Sequence, residues 1–348
     1  MHVFFSPTPD DGATLVRLDG GAFAIVSRER TKKKKRKFEL MRERERERKG
    51  TRMAEGQRDL LYALRNNFHL GAYQAAIAEA QDLQHDDLGG AETVERDIFM
   101  YRAYIELGQT ENVLAEITNE SPLALQACRL LALIRTDGGK KDEVVAQITE
   151  WLSDPAYSSN LLLCELCGEI FMAAEMYEEA LSCCSSAGSL ELLSLAIQVA
   201  LQIERPDVAK KLLDLMQQKD DDAPLTQLAT AWVNVQIGGE RLQEVSYIFQ
   251  ELGDRFNWTP KLLNGAAVCN MVMGKFEEAE KQSLEALSKD PKQPDALANL
   301  VSVCLHLNKP ASKYLTQLKA ADPNHPLSKK LGSLEEKFVH AAAAAAAD

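Results

Sequence analysis

Apolar residues recur at intervals of three and four from about residue 57 to about residue 323. That spacing gathers them on one side of an α-helix. Short polar segments interrupt the pattern, most clearly Asp86-Asp87-Leu88-Gly89-Gly90, Ser153-Asp154-Pro155 and Lys219 to Pro224. None of the periodic runs shows the two-residue alternation of a half-buried strand. The sharpest unit begins at Pro260 and reads PKLLNGAAVCNMVMGKFEEAEKQSLEALSKDP. It predicts two helices: Gly274 supplies the tight turn between them, Ala279 and Ala286 let them cross closely, and Pro291 ends the second.

The same frame repeats along the chain. The first copy has Leu60, Ala63 and Leu64 before Gly71-x-Tyr73-x-x-Ala76-x-x-x-Ala80. The second turns at Gly108 and the third at Gly139. The fourth reads Cys164-x-x-Cys167-Gly168-x-x-Phe171, then Tyr177-x-x-Ala180-x-x-x-Cys184. The fifth turns near Glu204-Arg205-Pro206, the sixth at Gly239 and the seventh at Gly274. The eighth, from Pro294, turns at Asn308-Lys309-Pro310 and ends at Asp322-Pro323. Successive turns are 37, 31, 36, 29, 35, 35 and 34 residues apart. A period of about 34 residues with a glycine turn and small crossing residues is the tetratricopeptide signature. The expected fold is therefore all-α, a right-handed superhelical solenoid of about eight helical hairpins. A C-terminal helix, from about Ser328 to Ala346, caps the last hairpin.

Composition adds an asymmetry. The 348-residue chain carries a formal charge of −12. Residues 1–52 hold 15 basic and 8 acidic side chains, leaving 25 and 44 for the rest, so a basic segment precedes an acidic body. Such a body does not neutralise phosphates, which excludes nucleic acid as the default partner, and it does not adhere by itself to anionic lipid. A protein partner is expected, in the cytosol. The basic segment contains RERTKKKKRKFELMRERERERKG. An alternating GA codon tract translates as Arg-Glu-Arg-Glu. The segment therefore reads as leader sequence translated in frame, with Met53-Ala54 as the natural start. A disordered extension or a functional basic run at Lys32 to Lys37 are the alternatives. The domain assignment is residues 1–52 as a disordered basic extension, 53–340 as the solenoid and 341–348 as an alanine-rich tail.

Little in the sequence suggests catalysis. Cys164, Cys167, Cys183 and Cys184 have a spacing compatible with zinc. However, Cys164, Cys167 and Cys184 fall on slots the repeat uses for packing, where a small apolar thiol fits without metal. The six histidines are dispersed and read as surface or turn residues, with no nucleophile beside them. No phosphate-binding glycine loop occurs. Neither a metal nor a cofactor is expected.

A hairpin solenoid presents an inner face made mainly by the first helix of each hairpin. The candidate partner-binding residues there are Arg65 and Phe68 in the first hairpin and Arg102 and Ile105 in the second. In the seventh they are Lys261, Asn264, Val268 and Met271.

Three strings are more specific than the repeat. They are Leu64-Arg65-Asn66-Asn67-Phe68-His69-Leu70-Gly71-Ala72-Tyr73-Gln74, then Glu95-Arg96-Asp97 with Tyr101-Arg102-Ala103-Tyr104-Ile105, and Leu262-Leu263-Asn264-Gly265-x-Ala267-Val268-Cys269 running on to Asp290-Pro291. Together they resemble the epsilon subunit of coatomer, over about Met53 to Phe338. The resemblance implies a non-enzymatic, cofactor-free subunit of the coat that returns cargo from Golgi to endoplasmic reticulum. It implies binding to the C-terminal region of the coatomer alpha subunit, contact with other coatomer subunits, and membrane contact only through the assembled coat on Golgi membranes. A tetratricopeptide co-chaperone gripping a terminal carboxylate, or a generic adaptor, is the alternative reading.

Overall fold

The structure is a computed structural model, and it describes residues 13–17, 23–27, 59–83, 88–136, 138–186 and 188–347. The chain divides into two units, Met1–Asp59 and Leu60–Asp348. In the first, β1 (Ala13–Arg17) pairs antiparallel with β2 (Phe23–Ser27), with Ala13 opposite Ser27 and Arg17 opposite Phe23. These two segments lie inside the stretch expected to lack structure of its own. Their sequences, ATLVR and FAIVS, are rich in β-branched and aromatic residues that suit a pleated strand. The basic run Lys32 to Lys37 and the Met53-Ala54 start lie outside the described residues.

The second unit is a stack of helical hairpins. They are α1 (Tyr62–His69) with α2 (Tyr73–Asp82), α3 (Gly90–Glu106) with α4 (Thr110–Glu116), and α5 (Leu123–Thr136) with α6 (Lys141–Leu152). After a one-turn helix, α7 (Pro155–Ser158), come α8 (Leu161–Ala173) with α9 (Tyr177–Cys183) and α10 (Leu190–Gln202) with α11 (Pro206–Asp220). Then follow α12 (Pro224–Ile237) with α13 (Leu242–Phe256), α14 (Pro260–Val272) with α15 (Phe276–Lys289), and α16 (Pro294–His306) with α17 (Ser312–Ala321). The last helix, α18 (Pro326–Ala347), runs through the alanine tract. The eight hairpins are those the periodicity predicts. The exception is α7, which occupies a break read as loop. There Asp154 caps Ala156 N–H at 2.9 Å and Pro155 fills the first helical position, enough to start one turn.

Six of the eight corners share one geometry, whereas the third and sixth run through short 3-10 helices at Gly138–Lys140 and Gly239–Arg241. Gly71, Gly108, Glu175, Glu204, Gly274 and Asn308 all have positive φ. At each, the next residue's N–H reaches five residues back, as in Ala72 to the Asn67 carbonyl and Gln109 to that of Tyr104, both at 2.8 Å. This motif satisfies the last carbonyls of the first helix and reverses the chain. Gly71 meets a second demand, because a Cβ there would come within 2.8 Å of Lys261 Cβ.

Small residues set the helix crossings. Ala76, Ala80, Ala180, Ala209, Ala279 and Ala286 are all at most 2% exposed. Cys128, Cys167 and Cys183 join the largest apolar cluster, with Leu131, Val144, Leu166 and Phe171. Cys164 and Cys184 pack with Leu192 and Leu195.

One contact is not between neighbours. Leu70, at the end of α1, is packed in the cluster of the sixth and seventh hairpins with Leu228, Leu242 and Leu262. The Thr259 hydroxyl, which caps α14, also donates to the Leu70 carbonyl at 2.6 Å. The solenoid therefore meets itself, with the first corner seated against α12 and α14.

Candidate partner-binding face

The first helices of hairpins 1, 2 and 4 bring charge to the interior. Arg102 of α3 is 4% exposed. Its Nη1 donates to Glu165 Oε1 at 2.6 Å, and its Nη2 pairs with Glu169, both on α8. Its guanidinium lies 4.6 Å above the Phe68 ring centroid and 5.4 Å from that of Phe99. The two rings meet edge to face at 5.3 Å, the arrangement their quadrupoles favour. Burial works against the Arg102 charge, but Glu169 and Glu165 outweigh it and hold the guanidinium above its usual range. Burial pushes the Glu165 carboxyl up to about 7, against the opposing pull of Arg102.

Further ion pairs bind the same region. Arg65 Nε reaches Glu95 Oε1 at 2.5 Å, joining α1 to α3. Arg96 donates to the Leu83 carbonyl at 2.9 Å and pairs with Asp97 at 2.6 Å, pinning the end of α2. The Glu95-Arg96-Asp97 string thus ties the first two hairpins together. His69, read from sequence as a surface or turn residue, does end a helix, but its imidazole turns inward. Burial, with Arg102, Lys261 and Arg65 adding to it, holds it well below its usual pKa, so it is neutral at pH 7.

The sequence-predicted residues fall into two groups. Phe68, Arg102 and Ile105 are buried within the chain, Phe68 and Ile105 as members of apolar clusters. Arg65, Asn264, Val268 and Met271 are half-buried and Lys261 is exposed. Lys261, Asn264, Val268 and Met271 share one face of α14 at intervals of three, four and three residues. Asn264 accepts from Asn299 of α16 at 2.8 Å, which continues that face into the eighth hairpin.

Sequence reasoning missed Glu165 and Glu169. Their signal was present: LLLCELCGEIFMA is almost wholly apolar, and its two carboxylates stand four apart on one face. Charges in such a helix need a countercharge from elsewhere.

The cysteines have no reactive setting. Burial pushes the thiols of Cys183 and Cys184 up to about 12, and that of Cys167 higher. Among the described residues no three metal-capable side chains converge, and no helix is long and apolar enough to cross a membrane.

A family model described as the coatomer epsilon subunit matches residues 57–346. Coatomer subunit epsilon-1 of Arabidopsis thaliana is 45% identical over 285 residues, covering 81% of this chain and 96% of the relative. Coatomer subunit epsilon of Dictyostelium discoideum is 33% identical over 289 residues, covering 80% and 96%. Among solved structures, a tetratricopeptide repeat protein from Parabacteroides merdae superposes with a TM-score of 0.52 at 16% identity, covering 78% of this chain and 96% of that one, a likeness of fold alone. With the hairpin stack, its corners and nearly the full length of these relatives in register, the chain belongs to the coatomer epsilon subunit family.

Proposed function

We propose that this coat component binds the C-terminal region of the coatomer alpha subunit on the inner face of its solenoid, and so serves Golgi-to-endoplasmic-reticulum and intra-Golgi transport. The reading is supported by the accessible strip on α14, where Lys261, Asn264, Val268 and Met271 offer a cation, an amide and two apolar side chains along one line. Arg65 extends it on α1. Such a mixed surface suits a protein segment better than a small molecule. Phe68, Arg102 and Ile105 are buried within the first hairpins and do not belong to this accessible strip.

The role is architectural rather than catalytic. The thiols are held protonated by burial, and the interior carboxylates are committed to arginines. Family membership implies other coatomer subunits as partners. On this reading the chain works in the cytoplasm and at Golgi membranes, which it reaches through the assembled coat.

Co-purification tests the proposal. The full chain, mixed with the C-terminal region of the alpha subunit, should elute as one complex in size-exclusion chromatography and give a saturable calorimetric isotherm. Separate elution with no heat of binding would overturn it.

A further inference from the structure

Lys261 breaks local rules that the rest of the inner face obeys. It is the second residue of α14, after the Thr259 cap and Pro260, where the helix dipole disfavours a cation. Its stem lies across the backbone of Gly71 at the seam between the first and seventh hairpins. Protein surrounds it closely enough that burial pulls its ammonium below the usual lysine range, although the side chain keeps exposed surface. The other inner cations are answered within the chain: Arg65 by Glu95, Arg102 by Glu165 and Glu169, and Arg135 by Glu106 at 3.7 Å. The Lys261 ammonium makes no ion pair or hydrogen bond among the described residues. Close by, buried Nε2 of His69 and Nε of Arg102 also lack partners. Glu106 and Glu169, the carboxylates that favour the Lys261 charge, are already engaged by arginines.

A cation held in an unfavourable place with no ion pair of its own among the described residues is a cost to the free chain, and such costs concentrate at functional positions. From this arrangement we infer that Lys261 receives a side-chain carboxylate, an Asp or Glu, from the partner segment that lies along α14. The polar end of the strip, at Lys261 and Asn264, takes the acid, and Val268 and Met271, one and two turns beyond, take apolar side chains beside it. The inference deepens the proposed function and rests on it. It names the chemistry the partner must bring: an acidic residue flanked by apolar ones.

The test uses the full chain and the C-terminal region of the alpha subunit in calorimetric titrations, with three variants. Lys261→Met keeps the stem and removes the charge, Lys261→Arg keeps the charge, and Lys261→Glu reverses it. The expected result is binding weakened about 10-fold or more by Lys261→Met, further by Lys261→Glu, and little by Lys261→Arg. The affinity of Lys261→Met should also depend less on salt. A merely structural lysine is separated by melting temperature, which should be unchanged or higher in Lys261→Met while binding falls. Wild-type affinity in Lys261→Met, or a parallel loss of melting temperature and binding, would overturn the inference and leave the functional reading standing. Loss of binding on amidating the partner's C-terminus would move the carboxylate to the chain end and also overturn it. Failure of the wild-type chain to bind would remove the functional reading, and this inference with it.

Discussion

Hairpins 1–4 and hairpins 5–8 follow the same helical plan but stabilise their inner sides differently. In the first half the buried polar groups include charges, and the bonds from Arg102 to Glu165 and Glu169 span 63 and 67 residues of chain. In the second half they are neutral, among them Ser194, Thr226, Thr230, Asn234, Thr259 and Asn270. Thr259 reaches the distant Leu70 carbonyl and the Thr226 hydroxyl has no partner among the described residues, but Ser194, Thr230, Asn234 and Asn270 find theirs nearby. Asn270 donates to Gln282, 12 residues on, and Thr230 bonds to its own helix at the Thr226 carbonyl. A neutral polar group is satisfied by whatever hairpin is adjacent. A buried charge tolerates only a countercharge delivered at the right distance, and breaking such a pair is costly. The first half is therefore correctly packed only when the curvature is correct, whereas the second half depends mainly on nearest neighbours.

The largest break in this contrast should come from Arg102→Met. Removing the guanidinium leaves two carboxylates facing apolar rings, and stability by urea unfolding should fall by about 3–5 kcal/mol. The loss should be smaller at pH 6 than at pH 8. A folded-state pKa raised above the unfolded value gives stability that is full at low pH and fades as pH rises through the folded pKa. Burial already places Glu165 at about 7, so a variant without Arg102 can take up a proton there at pH 6 and must leave it ionised at pH 8. An equal loss at both pH values would show that Glu165 is not the group left exposed to the change.

Leu70→Ala probes the link between the two halves. Truncating this buried side chain should cost about 2–5 kcal/mol. Hydrogen exchange should quicken in α12 and α14 as well as in α1, although they are far apart in sequence. Exchange confined to α1 would mean that the halves are energetically separate. Ala279→Trp, by contrast, overpacks a crossing inside the neutral half and should cost about 1–3 kcal/mol, beginning in α14 to α17. Its melting curve should show a local, earlier transition. The smallest effect has the opposite sign. Glu204 holds φ 58° at an exposed corner, and Glu204→Gly should stabilise the chain by about 1 kcal/mol, readable as a higher midpoint in urea. No gain would mean that the Glu204 side chain offsets its own backbone strain.

Legibility in the sequence followed the range of the interaction. Four corners were readable because one local requirement, a residue tolerant of positive φ, is met by Gly71, Gly108, Gly274 and Asn308 at the end of an apolar run. The fifth corner was located at Glu204-Arg205-Pro206 without a glycine, by the repeat frame. Ala279 and Ala286 were readable as crossing residues for the same local reason. The contact of Leu70 with Thr259 was not, because 189 residues separate them and neither carries a mark of the other. The inner-face residues were half legible. Helical periodicity places Phe68 and Ile105 on the first helices, but only the curvature decides whether that face meets a guest or its own chain. Here Phe68 lies under Arg102, and Ile105 packs with Val113 and Ile117. Glu165 and Glu169 were visible as anomalies in an apolar helix, without any indication that Arg102 answers them.

The seating of Leu70 against α12 and α14 bears on how long a bound segment would stay. A clasp fastened on itself gives up what it surrounds by axial sliding or by unfastening, not by sideways slippage. The residence time of a segment held inside would then follow how often Leu70 and Thr259 part.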